Sequence, residues 1–406
     1  MSTKYPGGVI KSSPVVPAGP YQNSSASGVW TMEQAGYWIK QGNWPTAGNL
    51  APNKLYSWGY NVFGMLGLGN TTDFSSPKQV GALTTWSKIA GAQIFSLATK
   101  TDGTLWSWGY NGNGQLGLNN TTSYSSPKQV GALTTWSKIE TLRGPAGVLA
   151  TKTDGTLWSW GSNDSGQLGL GTSGAGTYKS SPNQVGALTN WLTIACGNNH
   201  SIATKTDGTL WSWGNNNEGQ LGLGNTTNRS SPVQVGALTT WLNIAGGFYH
   251  SIATKTDGTL WSWGFNTQGQ LGLGNTTNYS SPKQVGALTT WLKIACAESS
   301  TLVIKTDGTL WSWGINSFGG LGLGNTTNYS SPKQVGVLTT WSEIKANYQW
   351  ALATKTDGTL WSWGNNASGQ LGLGSITNRS SPVQVGALTT WTNVSCGYQF
   401  ALATLS

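Results

Sequence analysis

Charged side chains are scarce in this chain, since only 9% of its 406 residues are Asp, Glu, Lys or Arg. The formal charge is +9, but the basic residues never form a run of the kind that follows a nucleic-acid backbone. We therefore predict a mildly basic surface and do not expect nucleic-acid binding. No apolar segment is long enough to span a membrane, and none follows Met1, so neither a membrane span nor a signal peptide is expected.

Cysteine and histidine are rarer still. Cys196, Cys296 and Cys396 are spaced 100 residues apart, and we expect buried thiols too distant for a disulfide. The two histidines are too few for a metal site, which needs three or more convergent ligands. No carboxylate pair, nucleophile with a base, or phosphate-binding loop before a helix is recognisable. We therefore predict a protein that is not an enzyme, with no catalytic residue, metal or cofactor.

Glycine and tryptophan are abundant instead, with 58 and 24 copies. The tripeptide Ser-Trp-Gly occurs seven times, and successive copies are 50, 52, 53, 50, 50 and 50 residues apart. A fixed period of this length indicates one supersecondary unit copied many times. Because each tryptophan can bury roughly 150–250 Å² of surface, the copies carry enough apolar area for a core.

One repeat, residues 241–290, divides into four short strands. Residues 241–245 and 250–254 read as the first two strands, and the Asp257–Gly258 pair is a tight-turn signal before the third, residues 259–263. A Gly/Asn/Thr-rich loop precedes the fourth strand, residues 280–285, where Pro282 fits an edge position. Four antiparallel strands per unit, repeated radially, are typical of a propeller blade.

The repeats predict an all-β fold, a closed seven-bladed β-propeller over residues 51–406. The array begins with a third strand, at residues 53–59, and stops after a second strand, at residues 401–406. The two chain ends therefore share the terminal blade. A linear β-solenoid is the alternative, but its coils usually carry fewer residues.

The repeat resembles that of the regulator of chromosome condensation family. The pattern is carried by residues 194–204, by Asp-Gly-Thr-Leu-Trp-Ser-Trp-Gly with the following Gly-Gln-Leu-Gly-Leu-Gly at residues 207–224, and by Pro232 and Val235. The resemblance implies a seven-bladed propeller with a shared terminal blade. It also implies a protein-binding role, because the family includes nucleotide-exchange factors, ubiquitin-ligase modules and β-lactamase inhibitors.

The copies differ mainly in two stretches per repeat. The first lies between strands one and two, and the second follows strand three. Because strands two and three form a hairpin, both stretches should lie opposite its Asp-Gly turn, and we name that side the variable face and the other the turn face. The first stretches are residues 91–95, 141–147, 197–200, 246–250, 297–300, 346–350 and 397–400, and the second are residues 60–63, 110–113, 162–165, 215–218, 265–268, 315–318 and 365–368.

We interpret the variable face as a binding surface, because binding residues favour loops on a rigid scaffold and its Tyr, Phe, Trp and Asn content resembles a paratope. Neutral drift in exposed loops is the alternative. The two histidines are also open to a second interpretation, as hydrogen-bonded strand residues. The predicted binding residues are Phe63, Phe95, Arg143, His200, Phe248, Tyr249, His250, Phe265, Phe318, Tyr348, Trp350, Tyr398 and Phe400.

Residues 1–50 predict an extended N-terminal anchor segment with one short helix, residues 32–41, which Thr31 and Gln34 would cap. Two pieces, residues 27–34 and 42–45, resemble segments of bacteriophage structural and tail-fibre proteins. The predicted anchor residues are Trp30, Met32, Trp38, Ile39 and Trp44.

These features together favour a virion component, tail- or capsid-associated, located in the virion or on an extracellular surface. Its N-terminal segment would bind other virion or surface proteins, and its variable face would bind a protein or glycan receptor. One alternative is a cytoplasmic protein-interaction regulator of the chromosome-condensation or GTPase-exchange type. Another is a carbohydrate-binding lectin.

Overall fold

The computed structural model describes residues 4–5, 8–9, 53–144 and 147–406. Residues Met1–Asn53 with Ser406 form one compact unit, in which β1 (Lys4–Tyr5) pairs antiparallel with β2 (Gly8–Val9). The second unit, Lys54–Leu405, holds all the other strands. The predicted helix at residues 32–41 and all five anchor residues lie outside the described residues, so they stay predictions.

The second unit consists of seven four-stranded antiparallel sheets, numbered here as blades 1 to 7. Blade 1 contains β29 (Trp391–Cys396), β30 (Phe400–Leu405), β3 (Lys54–Gly59) and β4 (Phe74–Gln79). Blade 2 contains β5 (Trp86–Gly91), β6 (Phe95–Lys100), β7 (Leu105–Gly109) and β8 (Tyr124–Gln129). Blade 3 contains β9 (Trp136–Thr141), β10 (Gly147–Lys152), β11 (Leu157–Gly161) and β12 (Lys179–Gln184).

The remaining blades repeat this order. Blade 4 contains β13 (Trp191–Cys196), β14 (His200–Lys205), β15 (Leu210–Gly214) and β16 (Arg229–Gln234). Blade 5 contains β17 (Trp241–Gly246), β18 (His250–Lys255), β19 (Leu260–Gly264) and β20 (Tyr279–Gln284). Blade 6 contains β21 (Trp291–Cys296), β22 (Ser300–Lys305), β23 (Leu310–Gly314) and β24 (Tyr329–Gln334). Blade 7 contains β25 (Trp341–Asn347), β26 (Trp350–Lys355), β27 (Leu360–Gly364) and β28 (Arg379–Gln384).

The predicted propeller and its strand count per blade are confirmed, and strand boundaries shift by about one residue. The Asp-Gly turn explains why its sequence is repeated: Gly258 has a φ of +78°, which glycine adopts without strain. The Asp257 carboxylate accepts hydrogen bonds from the backbone N–H (2.9 Å) and the hydroxyl (2.6 Å) of Thr259. The Thr259 hydroxyl in turn accepts the indole N–H of Trp261 at 2.9 Å.

The ring closes through blade 1, as predicted. β30 pairs with β29 on one side and with β3 on the other, from Phe400 opposite Gly59 to Leu405 opposite Lys54. The first strands of neighbouring blades contact one another around the whole circle, including β29 with β5. They are therefore the innermost strands, and they surround a central channel.

A buried tryptophan links each blade to the preceding one. The Trp313 indole of blade 6 donates to the Gln270 carbonyl in the loop of blade 5 at 2.9 Å. The Trp58 indole donates likewise to the Gln370 carbonyl at 2.9 Å, which joins blade 1 to blade 7. Gly272 lies flat against this indole, because a Cβ built there would be 2.6 Å from the Trp313 nitrogen.

Six blades also carry a lysine packed between two tryptophans. In blade 5 the Lys255 ammonium lies 3.7 Å from the ring centre of Trp261 and 5.0 Å from that of Trp241. Burial lowers the pKa of Lys255, and the negative charge of Asp257 opposes that shift. Cation–π attraction to the two rings also favours the charged ammonium. Blade 1 differs, because Leu405 and Tyr56 occupy the equivalent places. Among the described residues no helix has the length and apolar character needed to cross a membrane.

Two glycine substitutions should separate backbone strain from steric overlap. Gly286→Ala places a side chain at a left-handed position, with a φ of +60° and open space around it, and should cost about 1 kcal/mol of unfolding free energy. Gly272→Ala has a similar φ of +72° but overlaps the Trp313 indole, which should add about 1–3 kcal/mol. Urea denaturation of both variants measures the difference, and equal losses would contradict the packing argument.

Candidate functional site

The two variable stretches of each blade lie side by side at the end opposite the Asp-Gly turn. In blade 5, Gly264 pairs with His250, and the Phe265 N–H donates to the Tyr249 carbonyl at 2.8 Å. The same bond joins Asn215 to Asn199 in blade 4. The hairpin thus brings both stretches of every blade to the variable face.

Backbone hydrogen bonds connect the first stretches from blade to blade. The Asn198 N–H donates to the Phe248 carbonyl at 3.2 Å, and the Phe248 N–H donates to the Glu298 carbonyl at 3.1 Å. The Glu298 N–H continues to the Tyr348 carbonyl at 3.0 Å. Across the closing blade, the Tyr398 N–H donates to the Ala92 carbonyl at 3.1 Å. These loops are therefore fixed to one another as well as to their own strands.

Five predicted binding residues are buried and cannot reach a partner docked on this face. They share one position, the first residue of the second strand, and they are Phe95, His200, His250, Trp350 and Phe400. Their function is packing between blades: His200 Nε2 lies 3.0 Å from the Ser251 hydroxyl, and the Trp350 indole donates to the Tyr398 carbonyl at 2.9 Å. The histidines thus fit the alternative interpretation, as hydrogen-bonded strand residues.

Burial also fixes the charge of the two histidines. It lowers the pKa of His200 and of His250 to about 3, because the charged form loses its hydration, and repulsion from Arg143 acts in the same direction. Both imidazoles are neutral at pH 7. Across the described residues no three His, Cys, Asp or Glu side chains are grouped closely enough to hold a metal ion.

The remaining aromatic residues are accessible on the variable face. Phe63 is 40% exposed and Tyr249 is 39% exposed. Phe248, Phe265, Phe318, Tyr348 and Tyr398 are partly exposed. They form small groups: the Tyr249 ring centre lies 6.3 Å from that of Phe248 and 6.2 Å from that of Phe265, and the Tyr348 and Tyr398 ring centres are 4.4 Å apart.

The charge of these loops is acidic. They contain Asp164, Glu218 and Glu298, but no lysine, and their single arginine is Arg143. Glu298 is half-buried between neighbouring loops, where burial raises its pKa and the Gln349 amide donates to its carboxylate at 3.4 Å. Glu218 accepts a hydrogen bond from the Asn278 amide at 2.9 Å.

Arg143 leaves the variable face and enters the central channel. Its Nη1 donates to the Ala346 carbonyl of blade 7 at 2.9 Å, across the ring from its own blade 3. It lines a cavity of about 110 Å³ together with the three cysteines, Cys196, Cys296 and Cys396. These thiols are free and buried, as predicted, and burial raises the pKa of Cys296 and Cys396 to about 12.

The sequence prediction missed a second set of varying positions, which lie on the first strands and face the channel. The third residue of these strands is charged at Lys88, Lys138, Lys293 and Glu343, and the fifth at Glu140 and Lys345. The signal was available, because the equivalent residues in the other blades are neutral. Aligning the repeats along the innermost strand, rather than only in loops, would have found them.

Family comparisons agree with the fold. The model described as "RCC1-like domain" matches residues 144–346, half of the chain. The model described as "Regulator of chromosome condensation (RCC1) repeat" matches residues 53–99, 102–141 and 357–404. The two models together take in nearly all of the propeller.

Individual relatives match shorter parts. Protein RCC2 of Mus musculus is 42% identical over 81 residues, which is 20% of this chain and 15% of that protein. The E3 ubiquitin-protein ligase HERC2 of Homo sapiens is 27% identical over 186 residues, 43% of this chain and 4% of that protein. The chain therefore spans only a small part of the curated relatives it matches.

Solved structures share the fold over most of the chain. Human WBSCR16 superposes with a TM-score of 0.79 at 22% identity, covering 87% of this chain and 99% of that chain. Prp20p from Saccharomyces cerevisiae is described with its binding properties to Gsp1p and histones. It superposes with a TM-score of 0.78 at 21% identity, and the match covers 88% of this chain and 92% of that chain. At these identities the likeness shows the architecture alone.

The prediction of a virion component is wrong. The relatives that carry the match, among them RCC2, HERC2 and yeast RCC1 (Prp20), are not virion proteins. The same finding overturns the predicted virion partners and the receptor-binding role, and it leaves the lectin alternative without support. The comparisons do not show the resemblance of the N-terminal pieces to tail-fibre proteins. The interaction-regulator alternative agrees with them better.

Alanine substitutions should separate packing residues from surface residues. Trp350→Ala empties a buried site and removes the donor to Tyr398, and should cost about 3–5 kcal/mol of unfolding free energy. Tyr249→Ala removes a 39% exposed ring and should cost less than about 1.5 kcal/mol. Chemical denaturation measures both. A Trp350→Ala protein as stable as the parent would mean that this side chain lies on the surface after all.

Acid should destabilise the protein through His200 and His250. Their folded pKa of about 3 lies below the ordinary 6.5, so the unfolded state binds more protons between these values. Stability is therefore lost as pH falls through this window, by about 3 kcal/mol per histidine at pH 4. The double variant His200→Ser, His250→Ser copies the serine at Ser300 and should lose less stability between pH 7 and pH 4. Equal acid sensitivity of parent and variant in urea titrations would contradict this assignment.

Proposed function

Because the chain belongs to the regulator of chromosome condensation (RCC1) family, we propose that it is an intracellular, non-enzymatic regulator whose variable face binds a partner protein. One observation carries the proposal: fourteen differing loops are gathered on one side of a nearly invariant ring and are hydrogen-bonded to one another. Loops held in this way lose little conformational entropy on binding, so more of the contact energy appears as affinity.

The composition of the accessible surface supports a protein partner. Phe63 and Tyr249 are exposed aromatic rings of the type that dominates binding energy in protein interfaces. Tyr249 is held from both sides, by ring contacts with Phe248 and Phe265, and its hydroxyl accepts the Asn198 amide at 3.5 Å. A pre-positioned ring of this kind gives rigid contact area to an interface.

Electrostatics favour a partner with a basic surface. Asp164, Glu218 and Glu298 lie in the variable loops, whereas Arg143 is turned into the channel. Positive groups on a partner would meet these carboxylates directly and would approach faster at low salt. The yeast relative is described with its binding properties to Gsp1p and histones, so we choose both as probes for this chain.

Residues 1–50 are proposed to attach the propeller to the assembly in which it acts. The segment is distinct in composition from the repeats, with most of its length outside the Ser-Trp-Gly period. Its predicted helix, residues 32–41, would supply an apolar face for that attachment.

Binding to immobilised Gsp1p and to core histones tests the proposed function. Tyr249→Ala should weaken binding by about 30-fold, the effect of losing a central aromatic contact. Glu298→Gln should also weaken binding. Its loss of affinity relative to the parent protein should grow as the salt concentration is lowered, because attraction to a basic partner is then greatest. Leu288→Ala is the control, since Leu288 is 47% exposed on a loop between blades away from the variable face.

The control should bind within about twofold of the parent, since its substitution removes no proposed contact. Two results would contradict the proposal: neither probe binds the parent protein, or Tyr249→Ala binds as tightly as Leu288→Ala. Melting temperatures of the variants separate lost binding from lost folding.

A further inference from the structure

The central channel contains a second cavity, on the turn-face side of the one that holds Arg143. Its volume is about 500 Å³, and its walls are the middle residues of the innermost strands. Lys88 and Lys345 are exposed while lining it, so the cavity is open to solvent. It lies apart from the variable loops, and its assignment does not depend on the proposed function.

This cavity has more positive than negative side chains. Four lysines line it, Lys88, Lys138, Lys293 and Lys345, against two glutamates, Glu140 and Glu343, which leaves an excess of two positive charges. The Lys293 ammonium is ion-paired with Glu343. Glu140 is attracted by Lys345, which opposes the rise in its pKa caused by burial. The excess therefore resides mainly on Lys88 and Lys138.

Lys88 and Lys138 occupy the same strand position in adjacent blades, 2 and 3. Lys138 donates a hydrogen bond to the Leu192 carbonyl and has no acidic partner among the described residues. Burial and the neighbouring charge of Lys88 both lower the pKa of Lys138. The equivalent residues Thr193, Asn243 and Asn393 are neutral, so the charge is concentrated on one side of the cavity. An anion between the two ammonium groups would remove their repulsion and restore a counter-charge.

We propose that this cavity binds a small tetrahedral oxyanion, of which inorganic phosphate is the representative, between Lys88 and Lys138. Lysine binds phosphate as a point charge, and inorganic phosphate, which carries between one and two negative charges at neutral pH, is balanced by the excess of two. The cavity of about 500 Å³ is large enough for the anion together with several water molecules, since one water molecule takes about 30 Å³. Asn243 and Asn393 are already committed, since their amides donate to the Leu292 and Ser87 carbonyls.

Isothermal titration calorimetry of the full chain with sodium phosphate, at constant ionic strength set with chloride, tests the proposal. We expect saturable binding of one phosphate per chain. Lys88→Met and Lys138→Met should each weaken it at least about tenfold, because each removes one charged contact. Lys128→Met is the matched control: its ammonium lies 5.3 Å from the Tyr124 ring centre on an outer strand, and affinity should stay within about twofold.

A third variant predicts a gain. Glu343→Gln frees Lys293 from its ion pair and raises the positive excess, so phosphate should bind several-fold more tightly. Lys88 is exposed, and among the described residues only its backbone, which the substitution keeps, makes hydrogen bonds. Lys88→Met therefore keeps the test valid if Lys138→Met fails to fold. Non-saturable heats with the parent protein, or equal weakening by Lys128→Met and Lys88→Met, would overturn the proposal.

Discussion

The fold depends on a buried indole that cannot be satisfied within its own blade. Trp313 finds its acceptor in the loop of the preceding blade, at Gln270, and Trp58 finds it at Gln370 after the ring has come full circle. A buried donor without a partner costs about 1–3 kcal/mol, and in an open array the indole of the first blade would lack this acceptor. Ring closure thus supplies the last of these acceptors, and Gly272, which has no Cβ, leaves room for the Trp313 indole.

A ring closed in this manner offers two surfaces with opposite electrostatic character along one axis. At one end the differing loops present aromatic rings and carboxylates, held in place by hydrogen bonds between blades. Inside the channel, lysines predominate. Arg143 lies between the two regions, where its side chain crosses the channel from blade 3 and donates a hydrogen bond to the Ala346 carbonyl of blade 7. The same scaffold therefore supports two recognition chemistries without altering the repeat that builds it.

Much of the architecture was predictable because period, turn and strand pattern are local features of the sequence. The Asp257–Gly258 turn and the alternation around Trp261 are sufficient to place four strands and one hairpin. The candidate site was only partly predictable. Phe95 and Trp350 look like loop residues in the sequence, but each begins a strand, pairs with Gly109 or Gly364, and lies in the core. Strand alternation shows which residues lie on the same side of a strand, but not whether that side faces a neighbouring blade or the central channel. The channel-lining residues Lys88 and Glu140 were missed for this reason.

The order of strands in blade 1 has a consequence for biosynthesis. β30 lies between β29 and β3, so one of the two strands that pair with the first propeller strand, Lys54–Gly59, is made only when residue 405 is reached. At ribosomal rates of about 5–20 residues per second, that delay is on the order of tens of seconds. During this time Leu55 and Trp58, both fully buried in the finished ring, lack one of the two strands that flank them. The ring therefore closes only after residue 405 has been made, and until then one edge of β3 has no strand to pair with.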